Sequence, residues 1–236
     1  MTETLELVRE GVALVDAMAA RGLVLRLLGG AGVFLHCPRA LAGGPYRQLG
    51  DLDAMTRRSD APALSRALPE HGYQPETRFN ALHGDRRLIF NGPRGRLDVF
   101  VDSFEMCHRI QLADRLEIEP RTLTVSDLLL TKLQIVEVNA KDAQDAAALL
   151  AEHELAAGPG DHVDLDYLSG VLGADWGLWR TATGTLARLA ELGRGVAAPA
   201  RQLIDTFEKA PKTRGFRLRA RVGERVRWYE LPDEVG

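Results

Sequence analysis

The sequence predicts an α/β (α+β) chain: a mixed β-sheet flanked by helices, then a helical C-terminal region ending in a β-hairpin. Three observations carry this reading. Short apolar runs bounded by Gly and Pro, at residues 24–28, 49–56 and 96–101, alternate with helix-spaced segments in the first half. Past residue 120 the strand signals give way to helical periodicity. From 215 to 231, apolar and basic residues alternate around Gly223-Glu224, a hairpin pattern. The expected organisation is a core over residues 1–122 and a helical region with its closing hairpin over 123–236.

Each element has a local cause. Leu5, Val8, Val12, Val15 and Ala19 recur at helical spacing, and Gly22 closes that helix. A strand over 24–28 runs into Gly29-Gly30, and a short helix over 31–37 is stopped by Pro38. Residues 39–49 are loop-like, with Gly43-Gly44-Pro45. The strand at 49–56 places Asp51 and Asp53 on one face, because side chains alternate. Pro62 opens a helix over 62–70, and Gly72 follows its end. Residues 79–83 and 87–90 flank Gly84-Asp85 as a hairpin, and 96–101 is a third strand beyond Asn91-Gly92. On that strand Asp98 and Asp102 share a face. Helices are expected over 125–138, 140–153, 165–172, 176–192 and 198–209.

Composition excludes several classes. A chain of 236 residues with 45% hydrophobic content has enough apolar side chains for a core, and its net charge of −3 gives no global reason to expect nucleic acid. Two cysteines, Cys37 and Cys107, make no disulfide framework. Acidic residues near the N-terminus argue against a signal peptide. The longest apolar run, 23–35, is interrupted by Arg26 and Gly29-Gly30 and is too short to span a bilayer. A cytoplasmic location without membrane association is the expectation.

The chemistry lies in the carboxylates. Attack on the α-phosphorus of a nucleotide needs charge neutralised at the attacking and leaving oxygens, which two divalent ions supply. Magnesium binds through one or two carboxylates plus phosphates and water. Asp51 and Asp53, two apart on a strand, suit that task. Asp98 on a later strand is the candidate third carboxylate, and Asp102 the alternative. Asp is depleted in strand interiors, so this ordered set needs a reason beyond folding. Gly29-Gly30, between strand and helix, would let backbone N–H groups approach a triphosphate closely.

The order Gly29-Gly30, Arg47-x-x-x-Asp51-Leu52-Asp53, Asp98 resembles the DNA polymerase beta-like nucleotidyltransferase superfamily. It resembles most closely the AbiEii-type abortive-infection nucleotidyltransferases and their small bacterial relatives. Leu128-Leu129-Leu130-Thr131-Lys132-Leu133 is similar to that group's lysine-bearing helical motif, and Lys141-Asp142-Ala143-Gln144-Asp145 to its Arg/Lys-Asp-x-x-Asp motif. The resemblance covers roughly residues 24–150. It implies a nucleotidyltransferase-like fold, with Asp51, Asp53 and Asp98 as catalytic metal ligands for Mg²⁺ or Mn²⁺. It implies nucleotide contacts from Gly29, Gly30, Arg47, Lys132 and Asp142, with Asp142 or Asp145 supporting the pocket. The expected reaction moves an NMP from an NTP to a small molecule or a tRNA end and releases pyrophosphate. An antitoxin protein is a further implied partner. The loop 38–45 lengthens the usual gap between Gly30 and Asp51. The alternative function is a non-catalytic, nucleotide-binding regulatory module.

Other features have plainer readings. His36-Cys37 and Cys107-His108 lack metal-ligand spacing, and neighbouring side chains within an element point apart, so buried thiols are expected rather than zinc. Between Lys209 and Arg227 there are eight basic residues and one acid, Glu224. In a hairpin, Phe216, Leu218, Ala220 and Val222 would face inward and Arg217, Arg219 and Arg221 outward. That ladder is a charge-protected edge strand or a contact for RNA phosphates. Trp176, Trp179 and Trp228 are read as packing residues.

Overall fold

The structure is a computed structural model that describes residues 2–39, 48–193 and 195–231. The chain divides into two compact units, one formed by Met1–Phe104 with Ile110–Thr124 and the other by Glu105–Arg109 with Val125–Gly236.

The first unit is built on a five-stranded mixed sheet. Helix α1 (Thr2–Ala19) is followed by β1 (Arg26–Leu28), α2 (Gly29–His36) and β2 (Asp51–Thr56). Helix α3 (Ala61–Ala67) runs into a 3₁₀ turn, Leu68–His71, and then β3 (Gln74–Pro75). Helix α4 (Thr77–His83), β4 (Arg87–Asn91) and β5 (Arg96–Val101) follow. The sheet order is β1-β2-β5-β4-β3. The β2–β5 pair is parallel, and the other three pairs are antiparallel. A parallel pair needs a long crossover, and the chain between β2 and β5 supplies it.

One face of this sheet makes the core. Leu27, Leu52, Ala54, Leu88, Phe90, Leu97, Val99 and Val101 pack with Val8, Val15 and Met18 of α1 and with Leu64 and Leu68. Gly11 lets α1 approach closely, since a Cβ there would sit 3.2 Å from Leu52 and 3.3 Å from Leu27. The opposite face bears Asp51, Asp53, Asp98 and Arg96, as the period of two requires. The segment after β5 returns to the sheet, where Leu27 accepts from the Leu123 N–H and donates to the Arg121 carbonyl.

Residues 79–83 are not a strand but most of α4. Glu76 N–H already occupies the Ile89 carbonyl, and Asn80 then locks the helix onto β4. Its amide accepts from Ile89 N–H at 2.7 Å and donates to the Ile89 carbonyl at 2.9 Å. No residue of α4 is buried, and Phe79 and Leu82, three apart, have the spacing of a helix rather than of a strand.

Short strands β6 (Ser103–Glu105) and β7 (Arg109–Gln111) form a two-stranded sheet. The second unit is mainly helical: α5 (Val125–Leu133), α6 (Ala140–Glu152), α7 (Leu165–Ala174), α8 (Trp176–Glu191), α9 (Ala197–Lys209) and α10 (Arg214–Val222). Strands β8 (Leu155–Ala156) and β9 (Val163–Asp164) pair in parallel between α6 and α7. Asn139, Asp164, Asp175 and Thr213 accept backbone N–H groups at the starts of α6, α7, α8 and α10.

The expected terminal hairpin is a correction. Residues 214–222 form helix α10, and no hairpin is present among the described residues of this tail. Thr213 caps the helix start through Phe216 N–H at 3.1 Å, and Arg219 bonds the carbonyls of Gly223 and Val226 near its end. Of the four residues expected to face inward, only Phe216 is buried, against Trp179 at 5.5 Å between ring centroids. Leu218 is 53% exposed and Val222 39%. Residues placed two apart satisfy a strand, but one buried aromatic and an N-cap suffice for a short helix. Helix α5 also ends earlier than expected. Past it, the Val136 N–H meets Cys107 Sγ and its carbonyl accepts from Arg188, outside any helix.

Candidate functional site

The backbone register of the first unit assembles the acidic motifs. Asp53 on β2 lies opposite Asp98 on the parallel neighbour β5 and opposite Leu28 on β1. Asp51 lies one pleat away, opposite Arg96. Along this face exposure falls from Asp51, which is exposed, to Asp53, half-buried, and Asp98, buried.

Gly29 closes the site on the β1 side. It begins α2 with φ of +59°, in the left-handed region. A Cβ at this position would stand 2.1 Å from Asp53 Oδ2. The backbone angle disfavours a side chain here, and the Asp53 carboxylate would have to shift to admit one. Gly30 follows, buried, in the first turn of α2. Thus the structure brings Gly29, Gly30, Asp53 and Asp98 together, with Asp51 at the open end of the same strand face.

Two arginines complete the face, and the motif reading did not single them out. Arg96 Nε donates to Asp98 Oδ1 at 3.0 Å, and Arg87 Nη2 meets Asp98 Oδ2 at 2.9 Å. Each oxygen of the buried carboxylate thus has its own guanidinium. Arg87 also lies over the Phe100 ring, 5.1 Å from its centroid. Its Nε is buried and has no hydrogen-bond partner. The signal for Arg96 was in the sequence, since a residue two before Asp98 on a strand shares its face. The position of Arg87 depends on the β4–β5 register, which pairs it with Phe100.

Asp102 has a separate task. Strand β5 ends at Val101, and Asp102 turns away with φ of +60°, the one positive value outside glycine among the described residues. Its carboxylate accepts Arg58 N–H at 2.9 Å and pairs with Arg58 Nε at 3.2 Å. The shared face expected for Asp98 and Asp102 is therefore absent. Asp102 staples a turn.

In the second unit, Lys132 is buried between two carboxylates. Its Nζ lies 2.8 Å from Asp142 Oδ1 and 3.0 Å from Asp145 Oδ2. Burial pushes the ammonium pKa down, but Asp145 and Asp142 outweigh it, so the pKa is raised and the lysine stays charged. Asn139 caps α6 through Asp142 N–H and donates to Asp142 Oδ2, which fixes that carboxylate.

Arg47 lies outside the described residues, as do residues 40–45 of the loop 38–45. His36 Nε2 lies 2.8 Å from Thr122 Oγ1 and 3.2 Å from the Leu123 carbonyl, which tethers the end of α2. Cys37 and Cys107 are both buried, and neither is in a disulfide. His108 Nε2 lies 2.8 Å from Thr181 Oγ1, which also accepts from Trp228 Nε1. Trp176 and Trp228 meet edge-on at 5.9 Å, so these rings pack within their unit.

No protein-family model matches the chain, and no curated protein matches it. Among solved structures it is similar to the crystal structure of an antigenic nucleotidyltransferase-like protein from Paracoccidioides brasiliensis. That likeness has 14% sequence identity and a TM-score of 0.46, and it covers 88% of this chain and 94% of that one. The mixed α/β class rests on the sheet itself. No helix among the described residues is long and apolar enough to cross a membrane.

The donor set can be compared with what a divalent ion needs. Asp51 and Asp53 offer hard carboxylate oxygens on one strand face, a set that suits Mg²⁺ completed by substrate phosphates. Asp98 is held by arginines, and no group of three or more His, Cys, Asp or Glu poised for a metal occurs among the described residues.

Proposed function

We propose that this chain transfers a nucleoside monophosphate from a nucleoside triphosphate to a hydroxyl or phosphate acceptor and releases pyrophosphate. One observation carries the reading: Asp53 and Asp98 lie in register on parallel strands, with Gly29 packed against the Asp53 carboxylate. In this reading, an acceptor oxygen forms a bond to the α-phosphorus as the bond to the α,β-bridging oxygen breaks. Asp51 and Asp53 would hold Mg²⁺ or Mn²⁺, which when bound neutralises charge on the phosphates. Gly29 and Gly30, with no side chains, would let a phosphate approach the backbone at the start of α2. Asp98, once free of its arginines, accepts the proton of a hydroxyl acceptor.

The acceptor is a small molecule or a tRNA end, and an antitoxin protein and a cytoplasmic location belong to the same proposal. Binding that weakens steeply with salt would mark RNA, because phosphate neutralisation releases counterions. Nucleotide contacts from Arg47, Lys132 and Asp142 also remain proposals.

The test is Asp53→Ala, followed by pyrophosphate release with NTP, Mg²⁺ and a panel of acceptors. Loss of transfer with an unchanged melting profile supports the reading, and full retained transfer refutes it. A second reading, nucleotide binding without transfer, is favoured by the arginine pair on Asp98. Tight binding of a non-hydrolysable triphosphate with Mg²⁺, and no turnover on any acceptor, would support it.

A further inference from the structure

We propose that Arg87 and Arg96 form an anion subsite for a phosphate monoester on the acceptor, and that Asp98 is its internal placeholder. This inference deepens the transfer reading and rests on it for the word acceptor. The anion site itself stands on geometry alone.

The charge balance motivates it. One buried carboxylate needs one counter-charge, and Asp98 has two. The two guanidiniums share the one carboxylate they bond, and Asp51 and Asp53 lie on the same sheet face. Neither arginine is sealed in: their side chains are 27% and 35% exposed. Arg87 holds a buried Nε–H with no partner, and leaving such a donor unsatisfied is unfavourable. An arriving oxyanion would satisfy it.

The geometry suits phosphate. Each arginine meets Asp98 through a different nitrogen, Nε for Arg96 and Nη2 for Arg87. Guanidinium forks recognise phosphate through paired N–H groups, and two forks converge here on the two oxygens of one anion. The Phe100 ring beneath Arg87 fixes the height of that fork. A phosphate monoester presents three oxygens and more charge than a carboxylate, so it can replace Asp98 on both arginines.

Replacement has a consequence for the site. While Asp98 is held by both guanidiniums, its oxygens are committed. When the anion takes the arginines, the carboxylate is released beside Asp53, its register partner. Acceptor binding thereby completes the acidic set, and water alone does not. The arginines would act as binding residues for the acceptor and as positioning residues for Asp98.

The probe is inorganic phosphate, titrated without divalent ions and followed by calorimetry and by the arginine Nε–Hε resonances. In the wild type the signals of Arg87 and Arg96 should shift with phosphate. Arg96→Gln, which leaves Asp98 paired with Arg87, should weaken phosphate binding about tenfold or more, the value of one charge-assisted hydrogen bond. Asp98→Asn should do the reverse and tighten it, because the competing carboxylate charge is gone. Unmoved Arg87 and Arg96 signals, or weaker phosphate binding in a folded Asp98→Asn protein, would overturn the proposal. If Asp98→Asn does not fold, the wild-type resonances and Arg96→Gln decide it. A separate titration with Mg²⁺ and a non-hydrolysable triphosphate compares wild type with Asp53→Asn. Failure there removes the transfer reading and leaves the anion site standing, whereas failure of the phosphate titrations removes only the anion site.

Discussion

Replacing Lys132 by Met separates a lysine that holds the second unit together from one that serves only a nucleotide. Its ammonium is buried and lies within 3.0 Å of both Asp142 and Asp145. Asp145 is fully buried, and Asp142 is 16% exposed. Removing the lysine takes the Nζ ammonium away from both carboxylates, one of them cut off from water. Deleting one partner of a buried ion pair typically costs about 3–5 kcal/mol. For a protein of this size that corresponds to a fall in Tm on the order of 10 °C. Thermal unfolding by circular dichroism reads it directly. The double variant Lys132→Met/Asp145→Leu, with apolar groups on both sides, should recover at least half of the loss, because apolar replacement of a whole buried pair is often neutral. The raised lysine pKa means this contribution is fully present below the unfolded-state value of about 10.4 and fades as pH rises through the folded-state value. A single variant melting within about 2 °C of wild type would refute the reasoning. Loss of triphosphate binding at unchanged Tm would instead assign the lysine to the nucleotide.

Gly29→Ala places a methyl in the left-handed region and against Asp53 Oδ2, so it should cost at least about 1–2 kcal/mol in urea unfolding. It should also weaken Mg²⁺-triphosphate binding, and wild-type behaviour in both assays would contradict the packed turn. The helical tail is tested by a contrast: Phe216→Ala should cost about 3–5 kcal/mol, and the exposed Leu218→Gln less than about 0.5 kcal/mol. Equal costs would restore the hairpin. Burial lowers the His108 pKa, with Asp175 opposing in part. Its contribution is therefore complete above the unfolded-state value of about 6.5 and is lost as pH falls through the folded-state value. His108→Asn should flatten the fall in Tm between roughly pH 7 and 5 relative to wild type, and parallel pH profiles would rule this out.

How much of this was legible depended on the range of each cause. Alternation on one strand is local, so the common face of Asp51 and Asp53 was readable from two positions. The glycine turn after β1 was readable too, although its contact with Asp53 was not, because that contact crosses from β1 to β2. The reading of 79–83 as a strand failed because a short apolar pattern fits either period, and the decision came from Asn80 meeting Ile89 nine residues away. The tail failed likewise. Phe216, Leu218 and Val222 read as one strand face, yet Thr213 at the N-cap and Trp179 against Phe216 favour a helix turn. Asp102 shared a face with Asp98 by spacing, but it lies one residue past the strand, where the chain turns with a positive φ.

By itself, the sequence determined the mixed α/β class, the helical second half and the order of glycine turn and carboxylates. These follow from short-range periodicity and from residue types that tolerate few backbone states. Only the tertiary structure decided that Asp98 is held between Arg87 and Arg96, and that Lys132 is enclosed by Asp142 and Asp145. A charge chooses its partner by distance, and those distances are set by strand register and helix packing rather than by neighbours along the chain.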